Sequence, residues 1–226
     1  RPLLEKRLIL KSILSELNPR DCRVEILKAR AAALKGLLVV CFGYLGYKNA
    51  RFGRIEAHEA VTAYSRDVLL QAKEIAERQG YRMLHAIVDS LWLVKSGSVR
   101  TDYDSLAQTI TEQTGLSIGV EGLYRWIGFF PSRVNPLMPV PNQIVGLFDH
   151  GGMKVRGIEL RRSDAPRLVK RAQTEVLRCL SEAGTLAELR RQIPQALEIV
   201  HTYRRYLQDG RATIEELAIT KSLSKE

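Results

Sequence analysis

The sequence predicts an α+β protein: a helical hairpin, then an antiparallel sheet with helices, then a second helical region. Three observations carry this. Apolar residues recur at three- and four-residue spacings towards both ends of the chain. The middle holds short apolar runs separated by turn chemistry. Helices followed by strands followed by helices, without strict alternation, is the α+β order rather than a parallel βαβ one.

Leu4, Leu8, Leu14 and Leu17 lie among basic residues and predict a helix from Leu3 to Glu16. Asn18-Pro19 then reads as a cap followed by proline at the first helical position. The second helix runs through Ile26, Ala29, Ala33, Leu37 and Val40 and ends at Gly43-Tyr-Leu-Gly46. Val61, Tyr64, Val68, Ala72 and Ile75 predict a third, closed by Gly80. Tyr81 to Ile87 and Leu91 to Lys95 read as a hairpin turning at Val88-Asp89-Ser90. A helix over Tyr103–Thr114 follows, then strands over Ser117–Val120 and Leu123–Phe130, with Trp92 and Trp126 as core. The proline-rich stretch Pro131–Pro141 reads as a loop. Gln143–Phe148 and Lys154–Leu160 flank Asp149-His-Gly-Gly152, a second hairpin. From Ser163 the pattern is helical, with Leu168, Val169, Ala172, Val176 and Leu180 on one face. Thr185 and Glu188 form a capping-box signature for a last long helix, which Pro194 is expected to kink or interrupt.

The chain has 226 residues, 45% of them hydrophobic, enough for a packed core rather than a disordered chain. Its net charge of +10 is uneven: residues 1–50 carry +6, residues 51–153 carry −1, and residues 154–226 carry +5. Two basic lobes around a neutral middle point to a groove for a polyanion. Cys22, Cys41 and Cys179 are odd in number and without C-x-x-C spacing, which excludes a disulfide framework and suggests a reducing, intracellular setting. Its four histidines lack zinc-ligand spacing. The longest apolar stretch, Gly36 to Tyr47, is too short to span a bilayer, so no membrane partner is expected. Arg1 already lies inside a helical pattern, the expectation for a piece of a longer chain.

Five segments in order resemble the polymerase half of family B DNA polymerases, most nearly the archaeal ones. Lys35-Gly-Leu-Leu-Val-Val-Cys-Phe-Gly-Tyr-Leu-Gly-Tyr47 resembles the fingers motif K-x-x-x-N-S-x-Y-G-Y-x-G-Y. Val61-Thr-Ala-Tyr-Ser-Arg66 resembles the T-A-x-G-R helix that follows it. Leu84-His-Ala-Ile-Val-Asp-Ser90 sits where the family has Y-G-D-T-D-S on the palm hairpin. Val155-Arg-Gly-Ile-Glu-Leu-Arg-Arg-Ser-Asp164 is similar to R-G-(L/I)-E-x-x-R-R-D at the start of the thumb. Leu217 to Lys225 looks like the thumb's closing strand. The resemblance implies a fingers-stem hairpin over 1–50, a palm over 51–162 and a thumb over 163–226.

It also implies roles. Arg7 and Lys11 share a helix face and, with Lys35 on the neighbouring helix, match a triphosphate clamp for a dNTP; the same residues also fit a solvated basic face. Phe42 keeps the aromatic ring under an incoming base, although the family's Asn-Ser is Val39-Val40 here. Arg156, Arg161, Arg162, Lys221 and Lys225 would contact the phosphates of a primer–template duplex without sequence preference. The family's K-K-x-Y element falls at Asn142-Gln-Ile-Val145, where none of its residues is present.

The palm departs furthest. Two-metal nucleotidyl transfer needs several carboxylates. Here the first aspartate of Y-G-D-T-D-S is Ile87, the tyrosine is His85, and D-x-x-S-L-Y-P is absent from the chain. Asp89 is the one candidate catalytic and metal-binding carboxylate left, and it equally suits a tight turn. Two functions follow. One is a DNA-binding polymerase homologue, impaired or inactive alone, serving replication or repair as an accessory or structural component, with no cofactor. The other is a piece of an active, magnesium-dependent polymerase whose missing aspartate comes from an upstream polymerase/exonuclease segment or subunit. Both place the chain in the cytoplasm, with the nucleoid.

Overall fold

A computed structural model describes residues 2–220. The chain forms two compact units, one reaching to Glu74 and one starting at Ile75.

In the first unit, α1 (Pro2–Glu16) and α2 (Arg23–Leu45) pack as a hairpin. The expected helix start at Asn18-Pro19 does not form. The Asn18 side chain accepts the Arg20 amide (3.0 Å), which closes a local turn instead. Asp21 takes over as the organising acid: it accepts the Arg23 amide at 2.8 Å and the Arg23 guanidinium at 2.8 and 3.0 Å. Those bonds from Arg23 hold its carboxyl at about 2, so it stays ionised in mild acid. α3 (Ile55–Arg78) begins in this unit and ends in the second. Its expected apolar face is buried only near its end: Val61 and Tyr64 are exposed, while Ala72, Ile75 and Ala76 are buried. Gly80 stops the helix as expected, at φ +82°, with the Gly80 and Tyr81 amides donating to the Glu77 and Ala76 carbonyls.

The second unit opens with an antiparallel hairpin, β1 (Arg82–Ile87) and β2 (Ser90–Val94). α4 (Arg100–Thr114) buries Leu106, Ala107 and Ile110. The strand expected over Ser117–Val120 is absent. Its backbone is satisfied by α4 side chains instead: the Ile118 amide donates to Thr111 Oγ1 (3.0 Å) and Arg100 donates to the Val120 carbonyl (3.2 Å). β3 (Tyr124–Pro131), β4 (Pro139–Phe148) and β5 (Met153–Arg156) form an antiparallel sheet in that order. β4 therefore starts inside the expected loop; Pro139 and Pro141 lie in its first three residues, before Ile144 where pairing with β5 begins, so their missing amides cost no bond to β5. β5 stops at Arg156, short of the expected Leu160, and the chain turns into a short 3-10 helix, Glu159–Arg161.

α5 (Arg167–Ser181), α6 (Leu186–Gln208) and the one-turn α7 (Ile214–Leu217) complete the unit. Thr185 caps α6 as its sequence predicts, accepting the Glu188 amide. α6 runs through Pro194 uninterrupted, because proline removes one bond of a long helix whose face is held by packing. After α7, residues 218–220 are not a strand, and the rest of the expected closing strand lies outside the described residues.

Trp126, Val145, Leu147 and Leu177 form the core between sheet and helices, with Ile158, Leu160, Leu180 and Leu189 packed around them. Both tryptophans are buried, as expected, and the Trp126 indole N–H donates to the Ala183 carbonyl (3.0 Å). This gives the one polar atom of a large ring a partner where water cannot reach it.

Gly157 fixes where the chain leaves the sheet. Its φ is +68°, and a Cβ there would lie 2.0 Å from the Asn142 carbonyl oxygen on β4. Gly157→Ala is expected to destabilise the protein by about 2–4 kcal/mol, since both the backbone conformation and the close approach oppose a side chain. Gly36→Ala, at a helical position where nothing lies within 4 Å, should leave stability unchanged or raise it. Urea unfolding of the two variants checks the contrast; equal midpoints would refute it.

Candidate functional site

The candidate nucleotide-binding residues lie in the first unit. Arg7 and Lys11 lie on α1 and Lys35 on α2. Counting outward from the turn, Lys35 falls opposite the start of α1. It is then about 5 Å along the axis from Arg7 and about 10 Å from Lys11. Lys11 and Lys35 are exposed, while Arg7 is half-buried and its Nε has no hydrogen-bond partner among the described residues. The hairpin thus brings Arg7 and Lys35 to the same end of the helix pair and sets Lys11 further along.

Phe42 is not an open platform. The His58 ring stacks on it with centroids 4.1 Å apart, and His58 Nδ1 lies 3.1 Å from the Phe42 carbonyl oxygen. His58 also explains Gly46, where a Cβ would touch its ring at 3.0 Å. A lone histidine in the first turn of a helix carries no sequence signal for this role.

Asp89 lies in the two-residue turn of the β1–β2 hairpin, between the paired residues Ile87 and Ser90. Its side chain is exposed and accepts a hydrogen bond from Ser90 Oγ (3.2 Å). Its neighbour Val88 has φ +50°, a left-handed conformation that β-branched residues strongly resist. No group of three or more His, Cys, Asp or Glu side chains among the described residues could hold a metal ion. A two-metal centre needs a second bridging carboxylate, and the hairpin offers Ile87 there. The described donor set therefore does not fit a magnesium pair. His85 has a structural role: Nε2 lies 2.9 Å from the Pro141 carbonyl oxygen and the ring packs on Phe129 and Trp92.

The candidate phosphate contacts divide into free and engaged cations. Arg156, which pairs with Ile144 across the sheet, and Arg161, which ends the 3-10 helix, are exposed and form no ion pair among the described residues. Arg162 is engaged: Nε and Nη2 donate to the two Asp164 oxygens at 2.9 and 2.7 Å. Those bonds raise the Arg162 pKa and lower that of Asp164, so the pair stays charged but mutually compensated. Lys221 and Lys225 lie outside the described residues.

Their mounting is rigid. Ile158 and Leu160 pack on the core, and Gln173 of α5 bonds Glu159 through its amide N–H (2.6 Å) and accepts the Leu160 amide (2.6 Å). The Gln173 bond draws the Glu159 carboxyl below its usual range. Arg171, on α5, is committed elsewhere. It pairs with Glu216 of α7 at 2.8 Å, donates to the Tyr203 hydroxyl (3.1 Å) and lies over the Tyr203 and Tyr206 rings. The two-residue spacing of Arg162 and Asp164 could have been read from sequence; the Arg171–Glu216 pair, far apart in the chain, could not.

No family model matches the chain. It is 30% identical over its whole length to a DNA polymerase of Archaeoglobus fulgidus, covering 27% of that protein. It is 36% identical over 84% of its length to DNA polymerase 2 of Saccharolobus solfataricus, covering 28% of it. The solved structure of the family B DNA polymerase from Pyrobaculum calidifontis matches 99% of the chain at a TM-score of 0.64 and 27% identity, and 27% of that chain is covered. Among the described residues no helix is long and apolar enough to cross a membrane. The chain is therefore similar, over most or all of its length, to archaeal DNA polymerases and to a solved family B DNA polymerase, and it spans about a quarter of their length.

Proposed function

We propose that this chain binds primer–template DNA as the fingers-stem (1–50), palm (51–162) and thumb (163–226) portion of a family B polymerase, and that alone it does not catalyse nucleotide transfer. The observation that carries the binding half is the pair of free cations, Arg156 and Arg161, held on a packed sheet edge by Gly157 and Gln173. Phosphate contacts need only positive charge at a fixed place, so affinity for duplex DNA can outlive the loss of chemistry. Arg162 is already compensated by Asp164, and Lys221 and Lys225, outside the described residues, are further candidate contacts by resemblance. Arg7, Lys11 and Lys35 are the residues for a triphosphate, and Phe42 acts with His58 as a closed stack rather than as a base platform.

The catalytic half rests on Ile87 and on the solitary Asp89. A single exposed carboxylate binds magnesium weakly, so the ion would arrive with substrate phosphates rather than in a standing protein site. The rival reading makes the chain one part of an active polymerase, with the missing aspartate supplied by an upstream segment or subunit. The unpartnered Nε of Arg7 favours it, because a buried guanidinium nitrogen without an acceptor suits an anion.

Two outcomes follow. Binding to a labelled primer–template, followed by fluorescence anisotropy, should weaken with salt at a slope of about −0.9 per phosphate neutralised. Reversing both Arg156 and Arg161 to Glu should flatten that slope by about 2 and weaken every duplex alike, whereas Arg82→Glu should change little. Undetectable binding at low salt, or indifference to the double reversal, would overturn the DNA-binding reading. The isolated chain should also extend no primer with magnesium or manganese, and Asp89→Ala should leave its DNA affinity unchanged. Templated incorporation that disappears in Asp89→Ala would contradict the catalytic half.

A further inference from the structure

The loop joining β3 to β4, residues 132–138, turns its apolar side chains outward. Val134 is 95% exposed, Leu137 94% and Met138 61%. This is not a slack loop. Ser132 Oγ accepts the Val134 amide (3.2 Å) and the Asn135 amide (3.4 Å), and Asn135 Oδ1 accepts the Leu137 amide (3.1 Å). The Met138 amide donates to the Asn135 carbonyl (2.9 Å), and the Ser132 amide donates to the Met138 carbonyl (2.8 Å). Pro136 fixes one further torsion between them. The backbone is closed on itself, so these three side chains have no ready route inward, and their exposure to water is a standing cost.

The surroundings state what would cover them. From Pro131 to Val145 there is one charged residue, Arg133, and no acid. Gly157 lies against the Asn142 carbonyl, three residues after the start of β4 at Pro139 where the loop ends, so the loop and the turn after Arg156 lie towards the same end of the sheet. The loop, Arg156 and the turn at Gly157 also share one sheet, because β4 pairs with both β3 and β5. A pre-ordered apolar tip beside cations on a common rigid support is complementary to a stacked polyanion. Phosphates meet the arginines, and a base step accepts the apolar tip.

We propose that Val134, Leu137 and Met138 form a wedge that enters a base step of the bound duplex. The proposal rests on the DNA-binding reading above and specifies how the DNA is held. Apolar wedges of Leu, Met and Pro unstack and kink duplexes, and the cost of doing so is smallest at flexible pyrimidine–purine steps or mismatches. The loop's internal hydrogen bonds reduce the ordering entropy lost on insertion. The step is physical, without covalent change.

The test uses duplexes carrying 2-aminopurine at successive positions, titrated with the wild-type chain and with a variant in which Val134, Leu137 and Met138 are all replaced by Ser. Wild type should raise the fluorescence several-fold at one step. The variant should lose that rise and bind about tenfold more weakly, with its salt slope unchanged, because no phosphate contact has been removed. Since the three side chains are exposed, its circular dichroism and melting temperature should match wild type. Tight wild-type binding without a fluorescence rise, or a variant that binds like wild type, overturns the wedge while leaving DNA binding intact. A flattened salt slope in the variant overturns it too, because the loop would then be positioning cations. Failure of the wild type to bind any duplex overturns both readings. Tip-dependent flotation with phosphatidylserine vesicles, with 2-aminopurine silent, assigns the tip to a lipid surface and overturns the wedge.

Discussion

A glycine backbone pressed against a carbonyl holds the cationic edge of the second unit to its sheet. Gly157 adopts a left-handed conformation with Asn142 directly beside its missing side chain. That contact lets the chain leave β5 and fold back at once, so Ile158 and Leu160 reach the core around Trp126 while Arg156 and Arg161 remain in water. Gln173 then fixes the segment from the helical side. Burial of neighbouring apolar residues thus sets the position of the free charges. Positions set this way persist without a ligand, which is what phosphate recognition by a pre-formed surface requires.

Charge at this edge is distributed by pairing rather than by sequence count. The last third carries +5, yet Arg162 answers to Asp164 and Arg171 to Glu216 and two tyrosines. Arg171 acts chiefly as a brace that ties α7 to α5 and α6. Arg156 and Arg161, exposed and outside any ion pair among the described residues, are left as uncompensated charge at this edge. In the β1–β2 hairpin the balance is reversed: Asp89 is exposed, Ile87 is apolar, and the left-handed Val88 is strained in the turn. Strain there persists because β1 and β2 pair on both sides of it and His85 anchors the hairpin to the Pro141 carbonyl.

Features set by neighbours in sequence were legible from the start. Gly80 ends α3 through its own positive φ, Thr185 caps α6 through a residue three positions on, and both hairpin turns follow from short-range chemistry. The tryptophans read as core because strands alternate. Features decided by distant partners were not legible. Ser117–Val120 has strand composition, but α4 side chains satisfy its backbone first. Val61 and Tyr64 keep helical spacing yet stay exposed, since periodicity names a face without supplying what covers it. For the site, the segment from Val155 to Asp164 led directly to Arg156, Arg161 and Arg162. The His58 stack on Phe42 and the outward loop at 132–138 had no comparable signal.

DNA is proposed to lie against Arg156, Arg161 and the loop at 132–138. Hydroxyl-radical footprinting of the chain with and without a primer–template duplex tests it most directly, because it reports side chains one by one. Met138 and Leu137 should be strongly protected in the complex, with Tyr64, Val88 and His201 as reactive as in the free chain. Full reactivity of Met138 and Leu137 at saturating DNA, with protection on α6 instead, would contradict it.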